Sequence, residues 1–170
     1  MILRCTAKVL ALLDLRPVAD VEPGDDDFYA NLLWIERRKC LILTHAATMF
    51  PVFVPDVRKA DVTPFGPWVG DQLQAALADE MLDPGVLGDL DPRDTVVART
   101  ASRRTLGFMN DMAKTVEWSI ISHGGLASCD VRRLNRSLRR HLHTRDGGYA
   151  TAMDLVGERD GGVGPFPRRT

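Results

Sequence analysis

With 170 residues, 45% of them apolar and 26% charged, the chain has the make-up of one ordinary globular domain large enough to bury a core. A net charge of −1 excludes a global field that would pull it onto nucleic acid or membrane. The sign is nevertheless segregated: residues 1–85 carry 8 basic and 13 acidic side chains, and residues 86–170 carry 14 and 10.

Met1–Cys5 reads as a short strand and Lys8–Leu15 as a short helix, followed by the acidic, proline-punctuated loop Arg16–Asp27. Phe28–Ile35 and Lys39–His45 read as a hairpin with a polar turn between them. The second strand is apolar on both parities, which suits a central position. Met49–Val54 adds a strand whose Pro51 suggests one unpaired side. A helix is predicted from about Pro67 to Met81, a brief strand at Thr95–Arg99, and a long helix at Arg103–Ser122 with Ser102 as its cap. Asp130 caps a last helix over Val131–Leu142. The expected fold is therefore α+β: a largely antiparallel sheet of four to five strands, packed on one face by about four helices. Residues 1–156 form the single domain, and the Gly/Pro-rich stretch 157–170 is expected to be a disordered tail.

Cys5, Cys40 and Cys129 are odd in number and far apart, so neither a disulfide framework nor a zinc site is expected, and no cofactor. His141 and His143, two apart on the predicted helix, diverge by about 200° and cannot share a metal. No apolar run approaches the roughly 20 residues that cross a bilayer, and the first residues do not read as a signal peptide. The expected setting is a reduced cytoplasm, with no membrane partner.

Basic residues gather in two places. Arg99, Arg103 and Arg104 surround the start of the long helix, where unpaired amides and the macrodipole favour an anion. Arg132, Arg136, Arg139, Arg140 and His143 share one arc of the last helix and could meet nucleic acid, an acidic partner or plain solvent. In the long helix, Leu106, Met109, Ala113, Val116 and Ile120 form the expected core stripe. Gly107, Asp111, Lys114 and Trp118 form a second stripe, in which the glycine suggests a close approach. Asn110 and Asp111, with His45, are the only grouping that invites hydrolase or transferase chemistry, and no recognisable catalytic motif accompanies them.

The segments MILRCTAKVLALL, YANLLWIERRKCLILTHAATMFPVFVPDVRKADV and TASRRTLGFMNDM, in this order and spacing, resemble a family of small bacterial proteins known only as a domain of unknown function. The resemblance covers about residues 1–155. It implies a bacterial origin and one compact domain, and it marks Asn31, Arg38, Cys40, Asn110 and Asp111 without assigning them roles. The leading functional expectation is a non-catalytic binding or interaction module, joined to a protein partner or a second copy through the sheet or the long helix. Binding of nucleic acid or a phosphate ligand by the arginines is the alternative, and a small hydrolase or transferase the third reading.

Overall fold

The computed structural model describes residues 1–145 and 147–161. The chain runs β1 (Ile2–Cys5), α1 (Ala7–Leu13), β2 (Phe28–Ile35), β3 (Arg38–His45), β4 (Pro51–Val54), α2 (Phe65–Asp79), β5 (Val96–Arg99), α3 (Arg103–Ser122), α4 (Val131–Arg139), β6 (His143–Arg145), β7 (Gly148–Ala150) and α5 (Ala152–Arg159). Of the expected tail, Gly157–Arg159 close α5, and most of the remainder lies outside the described residues.

The fold is α+β, with five strands in the order β4-β3-β2-β1-β5 and a separate β6–β7 hairpin. The sheet is mixed. Strands β2, β3 and β4 pair antiparallel, but β1 is parallel to both β2 and β5. The parallel pairings arise because α1 and the acidic loop form a crossover between β1 and β2, and a helix precedes the return to β5. The β2–β3 turn places Glu36 and Arg37 both at positive φ, the geometry that matches the strands' twist. The Glu36 carboxylate then accepts the Leu126 amide at 3.2 Å, tying the hairpin tip to the segment after α3.

Both faces of the sheet are covered, not one. Leu3, Cys5, Ala30, Leu32, Leu41 and Leu43 pack with α1, α2 and α5. Tyr29, Cys40, Ile42 and Phe53 pack with α3 and α4. This explains the apolar character of β3 on both parities: period-2 alternation gives each face its own core. The buried stripe of α3 is centred on Thr105, Phe108, Met109, Met112, Val116 and Ile120, rotated from the expected one, with Leu106 and Ala113 at its margin.

The sheet edges are partly covered as well. On β4, Asn135 of α4 accepts the Phe53 amide at 2.7 Å and donates to the Phe53 carbonyl at 2.9 Å, imitating a neighbouring strand. Pro51 and Pro55, at the alternate positions beside Phe53, offer no N–H to that side. On β5, Val18 donates its amide to the Val97 carbonyl at 2.8 Å. Each edge is thus covered in part, β4 by the Asn135 side chain and β5 by the Val18 bridge.

Candidate functional site

The parallel pair β1–β5 defines where a site can form. From β1 the chain passes into α1 on one face of the sheet, and from β5 it passes into α3 on the other. Chain segments leaving neighbouring parallel strands toward opposite faces open a crevice at the strands' carboxyl ends, where open α/β sheets bind ligands. Arg4 organises this region from within the sheet. Its buried guanidinium pairs with Asp27 and donates to the carbonyls of Arg99 (3.1 Å), Val21 (2.9 Å) and Glu22 (2.6 Å). The acidic loop is thereby strapped down beside the start of α3. Four donor contacts on one buried charge satisfy the desolvated cation and fix the loop's path.

Two adjoining cavities lie along the first half of α3. One, of about 260 Å³, is walled by the acidic loop (Pro23, Gly24, Asp25), Tyr29, Ala46 and the helix start from Ala101 to Thr105. The other, of about 270 Å³, is lined by Phe108, Asp111, Met112, His141, His143 and Thr144 among others. Met49 and Arg104 line both, so the two cavities adjoin at these residues and are treated together as one cleft. Met49 reaches that position from a left-handed backbone (φ 54°) in the β3–β4 connection. Ser102 holds the helix start, its hydroxyl accepting the Thr105 amide at 3.1 Å. Burial pushes the Tyr29 phenol up from its ordinary value, so the cleft wall it forms stays neutral near pH 7.

The histidines join this cleft because α4 stops early. Expected to reach Leu142, the helix ends at Arg139, where Arg140 and His141 close the last turn with bonds to the Ser137 and Leu138 carbonyls. Beyond it the backbone turns toward β6, so His141 and His143 are not held at helical spacing and both line the cavity. The His143 ring meets Phe108 edge-on at 5.1 Å. The expected divergence of these two residues fails with the helix that required it.

The other candidate residues scatter. Arg132, Arg136, Arg139 and Arg140 do share one face, but that face meets the end of α2. Arg132 and Arg136 pair with Asp79, the latter at 2.9 Å; Arg139 reaches Glu80 at 2.9 Å, and Arg140 reaches Glu80 at 2.5 Å. Hydrogen bonding, first from Arg136, holds the Asp79 carboxyl down at about 2. Burial works against Glu80, yet its bonds from Arg140 and Arg139 still keep it below the usual carboxylate range. Arg139 is buried, with its guanidinium 4.8 Å from the Phe50 ring. Each of these arginines has an acidic partner within the fold, although only Arg139 is buried. Arg38 pairs with Asp56 at 3.1 Å on the surface, and Asn31 accepts the Thr6 hydroxyl at 3.2 Å. Cys40 is a buried core thiol raised by desolvation, and Arg99 contributes its carbonyl to Arg4.

Asn110 is exposed and outside the cleft lining, Asp111 lies within it, and His45 is buried in the opposite core. The hydrolase grouping therefore does not assemble. Arg103 and Arg104, by contrast, enter no hydrogen bond or ion pair among the described residues, and Arg104 is the one that lines the cleft. Gly107 is not a point of close approach: a Cβ built there meets nothing within 4 Å. The described residues hold no group of three or more His, Cys, Asp or Glu side chains arranged to take a metal ion. Arg4, Met49, Phe108 and the two histidines are the site residues that periodicity passes over. An arginine inside a four-residue apolar strand, upstream of three consecutive aspartates, is the signal that marks the first of them.

No helix among the described residues is long and apolar enough to cross a membrane. Neither the curated proteins nor the solved structures contain a match to this chain. One family model does match, over residues 2–155, and its description is Domain of unknown function (DUF6933). With that match spanning most of its length, the chain belongs to the DUF6933 family.

Proposed function

We propose that this protein is a non-catalytic binding module whose working surface is the cleft along the first half of α3, and that its ligand is a small molecule or short chain bearing an anionic group. The observation that carries the reading is Arg104: a cation without an ionic partner among the described residues, lining two adjoining cavities near a topological switch point. Phe108, Met112 and Met49 supply the apolar floor such a ligand needs, while His141, Thr144 and Ser102 supply polar contacts. The four arginines of α4 share two carboxylates, Asp79 and Glu80, so each is oriented toward the end of α2 while the cluster keeps an excess of positive charge. A reduced bacterial cytoplasm suits the three free cysteines.

Calorimetry with a panel of small carboxylates and phosphate esters tests the reading. Wild type binds at least one of them, and Arg104→Gln weakens that binding by about tenfold or more, the scale of a lost charge-assisted hydrogen bond. Equal affinity in both proteins would remove Arg104 from the site and the reading with it.

One observation favours a second reading, docking of a protein partner or another copy. Trp118 and Ile121, one turn apart near the end of α3, are 71% and 70% exposed. Light scattering across a concentration series, repeated with Trp118→Ser, tests it. An association that disappears in the variant supports this face, and a monomer at every concentration removes the second copy.

A further inference from the structure

The three solvent-facing positions Arg104, Gly107 and Asp111 have a pattern that packing does not explain. At spacings of three and four they follow one line along α3. Their ends carry opposite charges and both line the same cavity, whereas the middle residue has no side chain and nothing above it. A glycine in a helix interior is unfavourable, and a close neighbour is the usual reason to keep one. Here that neighbour is missing from the fold, and the space lies beside the rim of a cavity. Among the described residues the Asp111 carboxylate pairs only with Lys114, in an exposed pair at 3.4 Å of the kind that exchanges readily for another cation.

Resting on the binding-module reading above, we infer that the cleft takes a zwitterion laid along α3, with its carboxylate at Arg104 and its ammonium at Asp111. Seven residues of helix separate the two anchors by about 10 Å along the axis. An extended chain of three amino acids spans about the same length, which makes a tripeptide with free termini a fitting occupant. Its body would lie across the open Gly107 rim, against Phe108 and Met112, with His141 and Thr144 within the same cavity to meet polar groups. A ligand with negative charge alone would meet Arg104 but be repelled by Asp111. A carboxylate at one end and an ammonium at the other answers both.

The test uses trialanine and 8-aminooctanoate, each with free ends, N-acetylated, or C-amidated, titrated into the full chain by calorimetry. Binding of the free forms, weakened about tenfold by blocking either end, is expected. If trialanine alone binds, the ligand is a peptide; if both bind, the shared separation of charges is what is read. Arg104→Gln should abolish the difference between acid and amide, and Asp111→Asn the difference between amine and acetyl form. Gly107→Leu, a better helix former, should weaken binding without lowering the melting temperature. Free and blocked forms binding equally, or neither free form binding, overturns the inference. If simple carboxylates still bind in an Arg104-dependent way, only the zwitterion falls; if nothing binds, the binding-module reading falls with it.

Discussion

Lowering the pH from 7 to 4 should destabilise this protein chiefly through His45. The ring is fully buried, and its Nδ1 accepts the Thr48 amide at 3.3 Å, which assigns the proton of the neutral ring to Nε2. Among the described residues Nε2 has no hydrogen-bond partner; the Asp26 carboxylate lies 3.7 Å away and is itself held by Arg159 of α5 at 2.7 Å. Burial, then the positive charge of Arg159, pushes the ring down to about 4 from an ordinary 6.5, against the weaker pull of Asp26 and Asp25. The unfolded chain therefore takes up a proton near pH 6.5 that the folded chain refuses until about 4. Stability is fully present above pH 6.5 and falls between 6.5 and 4, by about 3 kcal/mol in all. Asp79 and Asp91, both held at about 2, add their losses only as the pH drops below the ordinary carboxylate range, so the windows separate. Urea titrations at half-unit pH steps measure the slope. His45→Asn, whose amide oxygen can still accept from Thr48, should flatten it between 6.5 and 4.5. A flat wild-type profile there, or an unchanged slope in the variant, refutes the reasoning.

Other perturbations have equally definite outcomes. Asn135→Leu leaves the Phe53 amide and carbonyl unpaired at the β4 edge, costing about 1–3 kcal/mol in denaturant melts and inviting strand-mediated association visible by gel filtration. Arg139→Met strips a buried partner from Glu80 and Asp79 and should cost about 3 kcal/mol by chemical unfolding. The double variant Arg136→Glu/Arg140→Glu sets like charges against Asp79 and Glu80, so it should lower the melting temperature while leaving weak duplex binding unchanged in anisotropy titrations. Gly107→Ala should raise stability by about 0.5–1 kcal/mol, since the helix gains and no neighbour is crowded.

Much of the architecture is legible from local patterns. The hairpin Phe28–His45, the cap at Ser102 with its twenty-residue helix, and the cap at Asp130 depend on residues close in sequence, and the structure has all three. The parallel placement of β1 between β2 and β5 depends on contacts across the chain, which alternation within a four-residue strand does not encode. The arginine face of α4 is readable as a pattern, but its acidic partners Asp79 and Glu80 are more than fifty residues away, so the ion pairs that orient it are not readable from the helix alone. The site suffers most from one boundary. Extending α4 by three residues turns His141 and His143 apart on paper, whereas the actual end of the helix at Arg139 brings them into one cavity.

The most direct test of the cleft is an amide-resolved NMR titration of the isotope-labelled chain with the tightest binder from the anion panel. The account predicts shifts clustered at residues 101–112, 141–144, 23–25 and 46–49, absent in Arg104→Gln. Shifts centred instead on residues 131–140, or on the exposed end of α3 around Trp118, would contradict it and move the working surface elsewhere.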